Sequence, residues 1–285
     1  MNKIQTIKQF LGEPFYENKT SLIYNMDCKE GLNLLKQSGV RIDTTITSPP
    51  YNIGKEYENN IPLEEYIKWL IDIDTLIYNV TKSDGAYLLN VGYLRVENKG
   101  RAVPIPYLLW DKSKFFMHQE IVWNYGAGVA AKNYLSPRNE KILWYLKDQE
   151  NFTFNLDNIR DPDVKYPNQK KKGKLRCNTL GKNPSDVWQI AKVTSGDKRS
   201  SDERTNHPAQ FPVDLITRLI LGFSDKGEII LDPFIGSGTT ADVCMNNERY
   251  CIGFEIKLQY CEMIKERLDN ITKQSRIKEM MPELF

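Results

Sequence analysis

The stretch "DTTITSPPYNIGK" at residues 43–55 places four chemically distinctive residues directly after a run of β-branched residues. Pro49 and Pro50 have no backbone N–H to donate to a sheet, so the chain must leave the sheet at Ser48. Tyr51 then lies on a stiff turn, beside carbonyl oxygens that no neighbouring strand uses. The stretch predicts rigid hydrogen-bond acceptors and an aromatic ring at the end of a buried strand.

A second stretch, "EIILDPFIGSGTTADV" at residues 228–243, predicts a strand ending at Asp232, then a glycine-containing turn and a helix. The unpaired first amides of such a helix can bind a nucleotide-like ligand at the carboxyl edge of a parallel sheet. Gly236 and Gly238 alone are weak evidence, since turns use glycine for backbone reasons. The next strand, "YCIGFEI", reaches Glu255, which can accept hydrogen bonds from ribose hydroxyls. Because no G-K-[ST] sequence is present, we expect a ribose-containing ligand that needs no phosphate-binding lysine.

Alternating strands and helices must position these two stretches. Periodicity predicts strands at 21–27, 42–47, 85–92, 115–124, 140–147, 227–232 and 249–256. It predicts helices at 28–39, 60–80, 101–112, 213–223, 239–247 and 258–271. The loop between 115–124 and 140–147 indicates an antiparallel pair. The fold class is therefore α/β, a doubly wound, mostly parallel sheet with an antiparallel edge hairpin.

Length and composition exclude several classes of protein. With 285 residues the chain can bury a large core, and no apolar stretch approaches the roughly 20 residues that span a bilayer, so we expect a cytoplasmic protein without membrane contact. The five cysteines show no C-x-x-C spacing, which indicates neither disulfides nor a zinc site, and we expect no metal. The net charge of +2 disfavours a nucleic-acid coat protein but allows a local basic patch.

The alternating pattern fails between residues 149 and 206, where the chain is polar and contains the run "QKKKGKLR". A polar stretch of this length is typical of a functional insertion or a mobile loop. We therefore divide the chain into residues 1–148, an insertion at 149–206, and residues 207–285. The cations of the run form either a binding patch or an ordinary solvated surface. They are Lys170, Lys171, Lys172, Lys174 and Arg176.

The combination of "TSPPY" with the downstream "DPFIGSGTT" resembles the DNA amino-methyltransferases, which move a methyl group from S-adenosylmethionine to an exocyclic amine of a base. The order of the two motifs is similar to that of their permuted β class. Further similar segments are "NPSDVWQI" (183–190), "HPAQFP" (207–212) and "IVWNYGAG…SPRNEKILWYLK" (within 121–147). The resemblance covers almost the whole chain outside about 149–180. Either main motif alone is only suggestive, and their combination is specific.

The resemblance implies a circularly permuted methyltransferase fold. An open doubly wound sheet has room for one more strand beside the strand that reaches Glu255, and the N-terminal strand at 21–27 can fill it. Asp27 would then lie at the carboxyl edge, where it resembles the family's acid that faces the adenine amine. Asp27 can also cap the helix that follows it, and the two roles are compatible.

The resemblance assigns catalysis to Ser48, Pro49, Pro50 and Tyr51. An exocyclic amine is a poor nucleophile because its lone pair is delocalised into the ring. Hydrogen bonds to the Ser48 side chain and to a carbonyl such as that of Pro49 would favour a pyramidal nitrogen, and Tyr51 offers a face for a flipped-out base. The reaction is then a direct transfer that depends on positioning and needs no metal.

The resemblance also implies the cofactor S-adenosyl-L-methionine and double-stranded DNA as partner, with target recognition in residues 149–206. Whether a cognate restriction endonuclease accompanies the protein, and whether it is a monomer or a homodimer, stays open. The cofactor-binding residues implied are Asp27, Asp232, Pro233, Phe234, Gly236, Gly238, Thr239, Glu255, His207 and Gln210.

Ser48 favours cytosine as the target, because in this family serine usually accompanies N4 methylation of cytosine and aspartate accompanies N6 methylation of adenine. Adenine stays an alternative, since either side chain can hold the amine of either base. A carbon-5 cytosine methyltransferase needs a Pro-Cys nucleophile, and no cysteine here follows a proline. A nicotinamide oxidoreductase leaves "TSPPY" unexplained, and a protein glutamine methyltransferase has Asn in place of Ser48. An inactive DNA-binding module is the second alternative, which the intact Ser48, Tyr51, Asp232 and Glu255 oppose.

Overall fold

Alternating strands and helices make up most of the structure, a computed structural model that describes residues 3–55, 60–128, 130–194 and 201–280. No helix among these residues is long and apolar enough to cross a membrane. In chain order the elements are α1 (Lys3–Leu11), β1 (Tyr16–Glu17), β2 (Ser21–Asn25), α2 (Cys28–Ser38), β3 (Ile42–Thr47), α3 (Leu63–Val80), β4 (Thr81–Val91), β5 (Tyr93–Val96), β6 (Gly100–Pro104), α4 (Ile105–Leu109), β7 (Phe116–Asn124), β8 (Asn139–Leu146), a 3₁₀ turn (Leu156–Ile159), β9 (Lys170–Lys171), β10 (Lys174–Leu175), β11 (Val187–Gln189), α5 (Val213–Phe223), β12 (Ile229–Asp232), α6 (Thr239–Asn246), β13 (Tyr250–Glu255) and α7 (Leu258–Met280).

The main sheet has the strand order β1-β2-β13-β12-β3-β4-β8-β7-β11 within the described residues. The five strands from β2 to β4 are parallel, and β7 and β8 form an antiparallel hairpin, which confirms the predicted fold class. The N-terminal strand β2 pairs in parallel with β13, as predicted. The hairpin is not the outermost pair, because β11 lies outside it and runs parallel to β7.

Two apolar layers cover the sheet, one on each face. The first packs α1 to α4 against the sheet through residues such as Leu32 and Ile77, and the second packs α5 to α7 through residues such as Ile216 and Ile264. All six residues of β3 are buried, as expected for a strand covered on both faces. The carboxyl ends of the parallel strands are therefore held rigidly at one edge.

Two local elements differ from the sequence prediction. Helix α1 was not predicted, although Ile7 and Leu11 bury its apolar side against the core. The segment 101–112 was expected to be helical, but its first residues form β6, which pairs with β5, and only α4 is helical. Pro104 and Pro106 explain the late start of the helix, since proline is tolerated only in a helix's first turn.

The described residues of the segment 149–206 contact the rest of the protein near both ends. Near one end, the Asn155 amide donates to the Gly222 carbonyl at 2.7 Å. Near the other end, the island "DVWQIA" supplies β11, whose Trp188 is buried. These apolar islands join the core because single large side chains suffice to anchor a short strand. Residues 195–200 of the segment lie outside the described residues.

Candidate active site

A cavity of about 570 Å³ opens at the carboxyl edge of the sheet, where β2, β3, β12 and β13 end. Its size and its mixture of aromatic and polar walls are typical of a small-molecule site. The fold brings most of the predicted site residues to its walls. They are Asp27, Ser48, Pro49, Pro50, His207, Pro233, Phe234, Gly236, Thr239 and Glu255. Four others lie outside these walls: Tyr51, Gln210, Asp232 and Gly238.

Asp232 points into the protein from the end of β12 and is 1% exposed. Its Oδ1 accepts hydrogen bonds from the Thr47 hydroxyl (2.6 Å) and the Phe234 amide (3.1 Å), and its Oδ2 accepts one from the Thr240 hydroxyl (2.6 Å). Burial raises the pKa of Asp232 to about 6, although these donors act in the opposite direction. The carboxylate therefore holds the turn that follows β12 from the protein interior and does not face the cavity.

The glycine turn requires its two glycines for backbone reasons. Gly236 has φ +50, and a Cβ there would lie 2.9 Å from the His207 ring. Gly238 has φ +75 at the start of α6, and a Cβ there would lie 3.0 Å from Ile264. Both positions need a residue without a side chain, because of their positive φ angles and because His207 and Ile264 pack closely on them.

Two carboxylates flank the cavity. Glu255 accepts hydrogen bonds from the amides of Lys257 (2.9 Å) and Gly236 (3.2 Å), and burial raises its pKa. Asp27 accepts hydrogen bonds from the amides of Lys29 (2.8 Å) and Glu30 (3.3 Å), which confirms that it caps α2. Each carboxylate oxygen can accept a second hydrogen bond, so both acids can still bind donors of a ligand.

The loop before α5 contributes His207 to the cavity and holds Gln210 behind it. His207 packs edge-on against Tyr260, with ring centroids 4.5 Å apart, and burial lowers its pKa to about 4. His207 is therefore neutral at physiological pH. The Gln210 side chain accepts from the Thr205 amide (2.7 Å) and donates to the Glu203 carbonyl (2.7 Å), so it shapes the loop.

Helix α3 supplies aromatic residues that the sequence analysis missed. Tyr66 and Trp69 line the cavity, and Trp69 packs against Phe234 with ring centroids 5.6 Å apart. The Tyr66 hydroxyl donates to the Pro50 carbonyl at 2.7 Å, so α3 holds the turn after β3 directly. Tyr66 and Trp69 are three residues apart on a predicted helix and therefore lie on the same face of it, which could have indicated their shared position.

The hydroxyls of Ser48 and Tyr51 lie 2.9 Å apart at the carboxyl end of β3. The Tyr51 hydroxyl also donates to Glu140 Oε2 at 2.9 Å and accepts from Asn90 Nδ2 at 2.8 Å. A Cβ at Gly92 would lie 2.9 Å from the Tyr51 ring, so the ring packs closely on the backbone. Tyr51 is thus fixed by its hydroxyl as well as by its ring.

A second cavity, of about 330 Å³, adjoins the first one. Pro49 lines both cavities, and aromatic residues of the second cavity include Tyr51, Trp123 and Tyr125. Glu140 and Lys192 also line it, a pair that the sequence analysis missed because 52 residues separate them.

The Lys192 ammonium lies 2.6 Å from Glu140 Oε1 and 3.8 Å from the centre of the Tyr125 ring. Burial, the largest single influence, would lower the pKa of Lys192, but the charge and hydrogen bond of Glu140 together with those of Tyr125 outweigh it, and the pKa is raised. Lys192 is therefore positively charged at neutral pH and forms an ion pair with the Glu140 carboxylate.

The lysine run forms a small exposed hairpin away from the main sheet. Strands β9 and β10 pair with each other, and the two residues of the turn, Lys172 and Gly173, have φ +51 and +77. Such a turn with two positive φ angles suits a tight hairpin. We call residues 169–176 the basic hairpin. Its exposed cations are Lys170, Lys171, Lys172, Lys174 and Arg176.

The sheet order and the cavity at its carboxyl edge define the fold of the S-adenosylmethionine-dependent methyltransferases. A family model described as DNA methylase, for N6 and N4 methyltransferases, matches residues 42–266. This chain therefore belongs to the N6/N4 DNA methylase family: it is a DNA methyltransferase whose cofactor is S-adenosylmethionine. Among the residues the structure describes, no cluster of three or more His, Cys, Asp or Glu could hold a metal ion.

Individual relatives agree with this assignment, and a solved structure shares the fold. The Type II methyltransferase M.ScaI of Streptomyces caespitosus is 55% identical over 94% of this chain and 87% of its own length. The DNA adenine methyltransferase YhdJ of Escherichia coli (strain K12) is 33% identical over 86% of this chain and 88% of its own. The structure titled PvuII DNA methyltransferase (cytosine-N4-specific) aligns with a TM-score of 0.66 at 20% identity, over 87% of this chain and 86% of the other.

Proposed function

We propose that this chain methylates the exocyclic N4 amine of cytosine at a specific sequence in double-stranded DNA, on a base flipped out of the helix. The position of the turn after β3 carries the proposal. Pro49 lines both cavities, Ser48 lines the larger and Tyr51 the smaller. The larger cavity would hold the cofactor and the smaller one the base, so that the turn lies between the methyl donor and its acceptor.

The walls of the larger cavity support cofactor binding. Glu255 lies at the end of the strand after the glycine turn and would accept hydrogen bonds from the ribose hydroxyls. Asp27 would face the adenine amine, and the rings of Trp69 and Phe234 offer an apolar surface for the adenine. Neutral His207 would lie at the methionine part. Asp232, Gly238 and Gln210 would act indirectly, by holding the surrounding turns in place.

Bound S-adenosylmethionine supplies an electrophilic methyl group. Ser48 Oγ and the Pro49 carbonyl would accept the two hydrogens of the target amine and hold its nitrogen pyramidal, with the lone pair facing that methyl. Pro50 stiffens the turn, and its carbonyl is engaged by Tyr66. Tyr51, Trp123 and Tyr125 provide aromatic surface for the flipped base, whose stacking offsets part of the cost of leaving the duplex. Catalysis then consists of positioning and electrostatic complementarity.

Ser48 supports cytosine as the target base, because serine at this position resembles the cytosine-specific members of the family. Adenine N6 is the second candidate, and a specific observation favours it: the relative YhdJ, 33% identical, is named a DNA adenine methyltransferase. The neutral hydroxyl of Ser48 can accept from either amine, so the choice depends on the shape of the base cavity.

We further propose that residues 1–148 and 207–285 form one methyltransferase domain of the permuted β class, and that residues 149–206 recognise the target. The exposed basic hairpin supports DNA contact through phosphates. Relatives named Type II methyltransferases support a role in restriction-modification, beside an endonuclease that cuts the same sequence.

Incubation of the chain with methyl-labelled S-adenosylmethionine and with DNA, RNA or protein tests the substrate class. Digestion of the labelled DNA to nucleosides, followed by mass spectrometry, then identifies the base. We expect label in DNA only, as N4-methylcytosine. Label as N6-methyladenine would replace the first candidate by the second, and label in RNA or protein alone would refute both.

A further inference from the structure

Four polar side chains form a continuous chain of hydrogen bonds from the second cavity to Ser48, in the turn after β3. Lys192 Nζ lies 2.6 Å from Glu140 Oε1, and the other oxygen, Oε2, lies 2.9 Å from the Tyr51 hydroxyl. That hydroxyl lies 2.9 Å from Ser48 Oγ. Asn90 Nδ2 donates at 2.8 Å to both Tyr51 and Glu140. Nothing in the proposed methyl transfer so far requires Glu140.

The chemistry of Glu140 fixes the direction of these hydrogen bonds. A carboxylate only accepts hydrogen bonds, so the Tyr51 hydroxyl must donate to it. This contact is shorter than the 3.4 Å contact from the same hydroxyl to the Asn90 carbonyl, and its acceptor is charged. Burial, together with the nearby Glu140, raises the pKa of Tyr51 well above its ordinary value, so the phenol keeps its proton.

Because Tyr51 is the donor in its hydrogen bond to Glu140, Ser48 must be the donor in the hydrogen bond between Ser48 and Tyr51. Because the hydrogen of Tyr51 is used on Glu140, the Tyr51 oxygen must accept the hydrogen of Ser48. Ser48 Oγ then keeps only lone pairs for a substrate. An unconstrained serine hydroxyl can rotate and donate, and a donating hydroxyl would compete for the amine lone pair that has to attack the methyl group.

We propose that Glu140, held by Lys192, is a positioning residue that acts through Tyr51 to fix Ser48 as a hydrogen-bond acceptor for the target amine. The inference rests on the proposed function, since it assigns Ser48 the amine. It gives Tyr51 a role beyond stacking, and it explains how a neutral serine can present acceptors only, as a carboxylate does.

Two other roles for these residues make different predictions. If Tyr51 contributes only a stacking face, Tyr51→Phe keeps the ring and should transfer methyl groups at the wild-type rate. If Glu140 and Lys192 only stabilise the fold, Glu140→Gln should lower the melting temperature, and activity should follow the folded fraction.

The experiment measures single-turnover methyl transfer to DNA at saturating cofactor and DNA, with cofactor affinity, DNA affinity and melting temperature for each protein. The variants are Glu140→Gln, Tyr51→Phe and the two combined. Glu120→Gln is the matched control, because Glu120 forms an ion pair with Lys141 at 3.4 Å on the same hairpin, outside the chain of hydrogen bonds.

We expect each single variant to slow methyl transfer roughly tenfold or more, with cofactor affinity and melting temperature close to those of the wild type. The combined variant should be no slower than Tyr51→Phe, because both changes break the same connection. The Glu120→Gln control should transfer at the wild-type rate.

A wild-type rate for Tyr51→Phe, or losses that multiply in the combined variant, would overturn the inference and leave the proposed function intact. If Glu140→Gln unfolds because Lys192 loses its partner, Tyr51→Phe decides alone, since it leaves the ion pair in place. If the wild-type protein does not methylate DNA, the proposed function fails and the inference fails with it.

Discussion

Thr47 donates a 2.6 Å hydrogen bond to Asp232, and this contact joins the ends of β3 and β12, two strands whose residues are 185 positions apart in sequence. The turn after β3, which we propose to be catalytic, begins one residue after Thr47, and the glycine turn begins one residue after Asp232. Thr240, in the first turn of α6, donates to the other oxygen of the same carboxylate. A single buried carboxylate therefore holds together the starts of the two turns that line the larger cavity.

Burial of Asp232 should make the stability of the protein depend on pH. The pKa of Asp232 is about 6 in the folded protein, above the ordinary value of 3.8 that we take for the unfolded chain. The protonated side chain therefore stabilises the fold fully below pH 3.8, and this stabilisation is lost as pH rises through 6. Asp232→Asn cannot ionise. The unfolding free energy of the variant relative to the wild type should therefore rise from pH 4 to pH 7, by on the order of 2–3 kcal/mol.

Urea unfolding of both proteins across this pH range measures the difference. Thr47→Val is the companion variant, because it removes one donor and keeps the carboxylate. Loss of this donor should raise the pKa of Asp232 further, so the fall in stability of Thr47→Val should occur at higher pH than that of the wild type. A difference between Asp232→Asn and wild type that stays constant from pH 4 to pH 7 would contradict this account of Asp232.

Glu255→Gln should weaken cofactor binding about tenfold, because a carboxamide has one acceptor oxygen where the carboxylate has two. The NH₂ group of the new glutamine would then face a backbone N–H, either that of Gly236 or that of Lys257. Titration calorimetry with S-adenosylmethionine measures the change. Glu228→Gln is a suitable control, since Glu228 is also partly buried but lies at the opposite end of β12, where it accepts from the Asp225 amide. Equal losses in both variants would indicate a general effect on the fold.

Gly236→Ala should lower cofactor affinity by moving the His207 ring, which lies 2.9 Å from the position of the added Cβ. Gly12→Ala provides the control for backbone strain, because Gly12 also has a positive φ, of +80, and beyond its two neighbours in the chain no atom lies within 4 Å of its Cβ position. Both variants should lose about 1 kcal/mol of stability from the strained φ. Only Gly236→Ala should bind S-adenosylmethionine more weakly, and unchanged affinity would place the cofactor elsewhere.

Replacing Lys170, Lys171 and Lys172 by Gln should weaken DNA binding to a similar extent for all sequences. Each lost phosphate contact should reduce the slope of log affinity against log salt by about 0.9. Fluorescence anisotropy at several salt concentrations measures the slope. The same number of exposed lysines outside the basic hairpin, Lys19, Lys36 and Lys265, gives a charge-matched control. If both triple variants change the slope equally, the hairpin contributes only net charge.

The sequence predicted the elements whose signals are local. Gly39 ends α2 in the left-handed region with φ +72, as its position after a helical pattern indicated. The buried strands were predicted from their β-branched runs, and β2 was placed beside β13 because a doubly wound sheet has room there. Helix α1 and the β5–β6 hairpin were missed, since short elements at the periphery carry weak periodic signals.

The sequence also determined which residue types meet at the carboxyl edge, because parallel strands all end at the same edge of a sheet. The direction of each side chain was decided only by the tertiary structure. Asp232 and Glu255 both end strands at that edge, yet Asp232 points into the core and Glu255 lines the cavity. Glu140 and Lys192, 52 residues apart, meet only because β8 and the segment after β11 run beside the turn after β3. Such contacts depend on how strands from distant parts of the chain are packed together, and no local pattern of residues encodes that arrangement.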